Sequence, residues 1–175
     1  EARSQWAWIF DYDPNVYRLH QVLKPLILAS DTAEEFVSHF GPNPAAQTKA
    51  ATIIKEYYTE ESTDRLERFY YGYRKRLFRH YQKSFTLRGK SARFSWLANP
   101  EHFHYIRTLH QQARIIPVKG DMLATKGLRS IGDAAKAIGV PIRIYYTSNA
   151  PTAWGGEITP DYKDNVLGFP FDPQS

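Results

Sequence analysis

The sequence contains no cysteine, and this absence excludes several kinds of chemistry at once. A chain without thiols forms no disulfide framework, gives no thiolate ligands to zinc or an iron–sulfur cluster, and has no cysteine nucleophile. It also has no apolar run near the roughly 20 residues that a membrane-spanning helix requires. The printed sequence begins with Glu1 and shows no signal peptide. We therefore expect a soluble protein, and the sequence leaves open whether it is cytoplasmic or exported.

The composition is typical of a folded domain with an uneven charge distribution. The 175 residues are 42% hydrophobic and 15% aromatic, which argues against disorder. The net charge is +5, yet residues 65–93 hold ten basic side chains and one acid, Glu67, so this segment carries +9 and the rest −4. The basic side chains are Arg65, Arg68, Arg74, Lys75, Arg76, Arg79, Lys83, Arg88, Lys90 and Arg93. This concentration predicts a local basic patch.

Short apolar stretches bounded by turn residues predict the strands. They cover residues 6–10, 114–118 and 141–146, with one more short strand near 166–167. A helical pattern fills the interval between the second and third strands, and a strand–helix–strand unit of this kind favours parallel pairing. We therefore predict an α/β fold with a parallel sheet.

Helical spacing of apolar residues dominates the stretch after the first strand. We predict helices over 14–29, from an N-cap at Asp31, over 46–58, after Thr59, over 99–112 and after Asp121. On the helix after Thr59, the residues predicted to face the core are Leu66, Tyr70, Tyr73, Leu77 and Tyr81. The chain is predicted to be a single domain over 1–175, with a mainly helical insert at 14–98 and the second part of the sheet at 99–175.

Polar residues follow each of the three predicted strands. They are Asp11 and Asp13, Gly120 and Asp121, and Thr147, Ser148 and Asn149. In parallel sheets, ligands bind outside the carboxyl ends of the strands. The pattern predicts a pocket for a small-molecule or nucleotide-like ligand at this edge, with Trp154 on a loop over it. A purely structural interpretation stays open, because Asp and Ser are also preferred at helix N-caps and turns.

The chain resembles an uncharacterised bacterial family with a Rossmann-like fold similar to class I S-adenosylmethionine-dependent methyltransferases. The resemblance spans about residues 6–172. The matching stretches are Ile9-Phe10-Asp11, then His20, Lys24 and Leu26 in the next helix, and residues 117–121, 126–132, 146–149 and 165–170. It implies a Rossmann-like parallel sheet with a long helical insert after the first strand.

The resemblance also implies roles for individual residues. Asp11 would hold the ribose hydroxyls of S-adenosylmethionine, and Asp121, which follows Gly120 in the predicted cofactor site, would contact its adenine amine. Ser148 and Asn149 would line the substrate site. Asp13 and Trp154 are placed in the same pocket by the predicted strand ends and loop, and not by the resemblance. Methyltransferases carry a glycine-rich turn upstream of the segment that matches Asp11, and the printed sequence begins after that point. We therefore expect a reduced or truncated sheet, leave open whether methyl transfer is retained, and identify no catalytic residue.

The spacing of Asp11 and Asp13 also suits a different enzyme class. Phosphatases of the haloacid dehalogenase type use a first Asp as nucleophile and a second, two residues later, as acid/base, with Mg²⁺. Thr147 and Ser148 would follow the next strand of such an enzyme, and Lys163 would supply its cation. The sequence does not decide between these enzymes and a non-enzymatic protein.

The basic segment 65–93 gives the non-enzymatic alternative. Arg68, Arg76 and Arg79 are its candidate anion-binding residues, for nucleic acid or for an anionic membrane surface. The structural alternative is a solvent-exposed helix face whose long basic side chains cover apolar surface. The spacing of His102, His104 and His110 lacks the HExxH pattern, so no metal is expected.

Overall fold

The computed structural model describes residues 4–58, 60–148 and 159–172, and of Glu60–Ser62 only the backbone. Its fold is mixed α/β and 61% helical. The strands are β1 (Ala7–Asp11) and β2 (Ile115–Lys119). The helices are α1 (Pro14–Leu28), α2 (Ala33–Ser38), α3 (Pro44–Tyr57), α4 (Glu60–Phe85), α5 (Pro100–Gln111), α6 (Gly127–Ala137) and α7 (Pro160–Leu167), and a 3₁₀ helix covers Gly89–Phe94. None of the helices in the described residues is both long and apolar enough to cross a membrane.

Three helices begin with the same local signal, a capping residue followed by proline. The side chains of Asn43 and Asn99 accept hydrogen bonds from the N–H groups of Ala45 and Glu101, each at 2.9 Å. Thr159 accepts in the same way from the N–H of Tyr162 at 3.2 Å. Proline suits the first helical position because its missing N–H has no partner there in any case.

The N-cap of α2 lies one residue later than the predicted N-cap at Asp31, so that prediction was wrong. The cap is Thr32, whose hydroxyl accepts from the N–H of Glu35 at 3.1 Å. The Glu35 carboxylate in turn accepts from the N–H of Asp31 at 2.9 Å. Thr32 and Glu35 have the three-residue spacing of a capping box, but the return hydrogen bond from Glu35 reaches Asp31, one residue before the cap.

The chain divides into two compact units, and the first contains Glu1–Ile9 and Pro14–Pro117. Its core is an aromatic cluster in which the Phe36 ring lies 5.4 Å from Phe40 and Tyr81, and 5.3 Å from Trp96. Leu66, Tyr70 and Tyr81 of α4 are buried, as the apolar spacing predicted. Tyr73 was expected there too, but it is 39% exposed, because only part of the circumference of α4 is covered by other helices.

The second unit contains Phe10–Asp13 and Val118–Ser175. Its apolar core includes Leu128 and Ile131 of α6, Tyr162 of α7, and Phe169. Gly132 permits close packing, because a Cβ there would lie 3.0 Å from the Phe169 ring. The core is small, so the unit depends on a few close contacts.

The strands β1 and β2 pair in parallel, as predicted. The N–H of Ala7 donates to the carbonyl of Arg114 at 2.9 Å, and the N–H of Gly120 donates to the carbonyl of Asp11 at 3.0 Å. From the first of these hydrogen bonds to the second, the residue numbers rise on both strands, as they do in a parallel pair. Within the described residues the sheet has these two strands only.

Two predicted strands were wrong. Residues 141–146 make a single parallel bridge, Ile142 to Phe171, and Ile144 and Tyr146 are exposed, so neither face of the segment is buried as a sheet strand requires. Residues 166–167 lie at the end of α7, which starts at the Thr159 cap. Two adjacent apolar residues fit a helix as well as a strand, and the cap decides between them.

Candidate functional site

The end of the sheet brings two of the predicted site residues together. The hydrogen bond from the Gly120 N–H to the Asp11 carbonyl places these residues side by side, and Asp121 follows directly. Asp11 is half-buried and Asp121 is exposed. Asp11 and Gly120 are therefore adjacent because neighbouring parallel strands end at the same edge of the sheet.

The two carboxylates at this edge shape the turns that follow the strands. One oxygen of Asp11 accepts from the N–H of Asp13 at 2.8 Å, and one oxygen of Asp121 accepts from the N–H of Leu123 at 2.9 Å. Each is an Asx turn, a common structural use of aspartate. A carboxylate has two oxygens, so this use does not occupy the whole group.

The glycines near this edge are explained by packing. A Cβ at Gly120 would lie 2.8 Å from the ring of Phe10. A Cβ at Gly127 would lie 2.5 Å from the Asp121 carbonyl oxygen and 3.0 Å from the same ring. Helix α6 can approach the sheet edge because these positions carry no side chain. No local sequence pattern predicts that the Phe10 ring is the reason.

The remaining predicted pocket residues are only partly described. Ser148 is exposed and has a positive φ of 52°, which is uncommon for a residue other than glycine. Asn149 and Trp154 lie outside the described residues. Lys163 is exposed on α7. Sequence reasoning missed Asn165, a buried residue whose Nδ2 donates to the carbonyl of Ala124 at 3.0 Å and so joins α7 to the turn before α6.

Helix α4 presents the basic residues as a continuous exposed stripe. We call Arg65, Arg68, Lys75, Arg76, Arg79 and Lys83 the basic face. Their spacing of three, four and seven residues puts them on one side of the helix over about 27 Å. All six are exposed, opposite the buried Leu66, Tyr70 and Tyr81.

The basic face is not neutralised by the protein in the part of the chain that the structure describes. Glu67 is the one acid of the segment, and its carboxylate pairs with Lys55 of α3 at 2.7 Å. The other described ion pairs are Lys49–Glu35, Arg107–Asp31 and Arg143–Asp172. The charge of the face is therefore available to solvent or to a partner.

Exposed aromatic rings accompany the cations. Tyr71 and Tyr73 of α4 are 43% and 39% exposed, and Tyr73 stacks on Phe69 with centroids 4.5 Å apart. Phe94 is 85% exposed at the end of the 3₁₀ helix, next to the exposed Arg93. The sequence analysis assigned Tyr73 to the core and did not single out Tyr71 or Phe94.

The described residues hold no group of three or more His, Asp or Glu side chains placed to bind a metal. His102 is half-buried, His104 is exposed and His110 is buried, so the three do not share one surface. An open cleft of about 490 Å³ on the first unit is lined by Lys55, Glu56, Thr63 and Asp64. Its lining is polar, unlike the mainly apolar walls of typical small-molecule pockets.

The whole chain matches a known protein family. A family model described as Domain of unknown function (DUF7790) matches residues 1–175. No curated protein matches the chain. The match therefore places the chain in a family without assigning an activity to it.

Proposed function

We propose that this chain, which belongs to the DUF7790 family, binds nucleic acid through the phosphate backbone, using the basic face of α4. The observation that carries the proposal is the stripe of six exposed cations, none of which belongs to an ion pair among the described residues. A polyanion that contacts such a stripe releases its condensed counterions, which is the main source of affinity in sequence-independent binding.

Repulsion within the face supports a polyanionic partner. Four pairs of like charges stand three or four residues apart: Arg65–Arg68, Lys75–Arg79, Arg76–Arg79 and Arg79–Lys83. Each such pair destabilises an isolated helix by roughly 0.2–0.5 kcal/mol. A helix with this unfavourable arrangement on its surface becomes more stable when phosphates bridge the cations.

The surroundings of the basic face favour nucleic acid over a membrane. A helix that inserts into a bilayer surface needs an exposed apolar face, and the apolar face of α4 is buried in the core. The exposed rings of Tyr71 and Phe94 instead suit stacking on unpaired bases, which is worth roughly 1–3 kcal/mol per base. We therefore expect single strands to bind more tightly than duplexes.

The test is fluorescence anisotropy with a labelled 20-nucleotide single strand of mixed sequence, between 50 and 200 mM salt. Arg76→Ala with Arg79→Ala should weaken binding and reduce the slope of log K against log[salt] by about 1.4, or about 0.7 for each lost phosphate contact. The matched control, Arg129→Ala with Lys136→Ala, removes two exposed cations from α6 and should leave binding unchanged.

Two results would refute the proposal. One is an affinity that does not change with salt concentration, or that falls as much in the α6 control as in the α4 variant. The other is tighter binding to vesicles containing phosphatidylserine than to the oligonucleotide, since that would assign the face to membranes. The duplex of the same sequence, measured in parallel, tests the expected role of the exposed rings.

A second candidate is a ligand site at the end of the sheet, and the observation that favours it is the adjacency of Asp11, Gly120 and Asp121. In this proposal the fold is a reduced relative of the Rossmann-like methyltransferases and the ligand is S-adenosylmethionine. Calorimetry with S-adenosylhomocysteine should give saturable heat that Asp11→Asn abolishes. No heat at millimolar ligand would contradict it, and Mg²⁺-dependent phosphate release that Asp11→Asn abolishes would favour the phosphatase instead.

A further inference from the structure

We infer that Gly72 marks the point at which a nucleic-acid single strand crosses α4, with the sugar–phosphate backbone against the helix and unpaired bases on either side. The inference rests on the proposed function and deepens it, because it says where on the basic face the strand lies and how close it comes. It starts from a glycine that neither the helix nor the packing of the protein explains.

Gly72 is exposed in the interior of α4, where glycine is less favourable than every other residue except proline. The helix does not use the conformational freedom of glycine, since it runs without interruption from Glu60 to Phe85. Packing does not require a glycine either, because a Cβ at this position would meet nothing within 4 Å among the described residues. Close approach of a ligand to the backbone is the other common use of glycine.

Gly72 lies at the centre of the basic face. Five cations stand three, four or seven residues from it along α4, namely Arg65, Arg68, Lys75, Arg76 and Arg79. Residues at these spacings lie on the same side of a helix, and those three or four residues away are direct neighbours. A phosphate over Gly72 therefore meets bare helix backbone beneath it and the side chains of Arg68, Lys75 and Arg76 around it.

The residues before and after Gly72 are exposed tyrosines, Tyr71 and Tyr73. Successive residues of a helix are about 100° apart, so these two rings stand on opposite sides of the strip that contains Gly72. Tyr71 lies 5.1 Å from the Tyr70 ring and Tyr73 lies 4.5 Å from the Phe69 ring, so both are held by neighbours before a ligand arrives. Rings in this position suit stacking by the unpaired bases of a strand that crosses the helix between them.

The test adds side chains at Gly72 and measures binding of the labelled single strand by fluorescence anisotropy. Gly72→Leu fills the position over which the strand lies, and affinity should fall roughly tenfold or more, which corresponds to about 1.4 kcal/mol. Gly72→Ala should cause a smaller loss of affinity while it raises Tm, because alanine is the better helix former. Weaker binding by a more stable variant cannot result from unfolding. The matched control, Ala134→Leu, adds the same kind of bulk at an exposed position of α6 and should leave binding unchanged.

An abasic strand of the same length separates backbone contacts from base contacts. It keeps the phosphates and lacks the bases, so Gly72→Leu should weaken its binding too. Tyr71→Leu should weaken binding of the strand with bases and leave binding of the abasic strand unchanged, because stacking needs a base.

The inference is overturned if Gly72→Leu binds as tightly as the unsubstituted chain, or if Ala134→Leu loses as much affinity. The proposed function would survive either result, provided that Arg76→Ala with Arg79→Ala still weakens binding in a salt-dependent way. If the unsubstituted chain does not bind the oligonucleotide, the proposed function itself fails and takes this inference with it. The two failures are therefore distinguishable.

Discussion

Two glycine substitutions should change stability in opposite directions. Gly127 is the first residue of α6, and a Cβ there would lie 2.5 Å from a backbone oxygen of Asp121 and 3.0 Å from the Phe10 ring. A backbone oxygen cannot move aside as the end of a flexible side chain can. We therefore expect Gly127→Ala to destabilise the protein by about 1–3 kcal/mol, the usual cost of overpacking, although alanine is the better helix former.

The matched substitution is Gly72→Ala in the interior of α4, where a Cβ would meet nothing within 4 Å. Alanine is favoured over glycine at such a position by about 0.5–1 kcal/mol. Differential scanning calorimetry measures both variants, and 1 kcal/mol corresponds to a change in Tm of roughly 2–4 °C for a chain of this size. If both alanines raised Tm, the close approach of α6 to Asp121 and Phe10 would be wrong.

Two further predictions concern titration and capping. The pKa of His110 is about 4 in the fold and ordinarily 6.5, so the unfolded chain takes up a proton first as pH falls below about 6.5. This should lower the free energy of unfolding by up to about 3 kcal/mol by pH 4, at roughly 1.4 kcal/mol per pKa unit. Urea unfolding at each pH measures the effect. His110→Gln should lose less stability between pH 6.5 and pH 4 than the unsubstituted protein does, and His104→Gln should lose as much. Thr32→Ala removes the cap of α2 and should lower the free energy of unfolding in urea by about 1 kcal/mol. Thr32→Ser keeps the hydroxyl and should keep most of the stability. If both variants lost the same stability, the hydroxyl of Thr32 would not be the cap.

Most helices of this protein follow from local signals, whereas only part of the predicted sheet forms in the described residues. Asn99 before a proline marks the start of α5, as predicted, because the cap and the first turn involve only neighbouring residues. Asn43 before Pro44 caps α3 by the same signal, although the predicted helix began only at residue 46. Residues 141–146 have the composition of a strand, but pairing requires a partner far along the chain, and only Ile142 finds one. Composition alone cannot supply that partner.

The candidate sites also divide into features that local sequence predicts and features that depend on long-range packing. The adjacency of Asp11 and Gly120 follows from the rule for parallel strand ends, and the exposure of Arg68, Arg76 and Arg79 follows from their place opposite the apolar stripe. The packing of α1 against α5 depends on how two helices meet, which no spacing within either helix reveals. Local spacing therefore predicts surfaces made by one helix or one strand pair, and does not predict contacts made by helix packing.

One stability measurement distinguishes a structural role of the basic face from a role in binding. Arg76→Ala with Arg79→Ala removes three of the four like-charge pairs on α4, which should stabilise the helix by about 1 kcal/mol. If the arginine stems instead cover apolar surface, as a solvated face would use them, the same variant should lose stability. A variant that unfolds at higher urea concentration while its affinity for the oligonucleotide falls shows that these cations oppose folding and serve binding. A variant that loses stability would show that they belong to the packing of α4, and the proposed function would lose the repulsion argument that supports it.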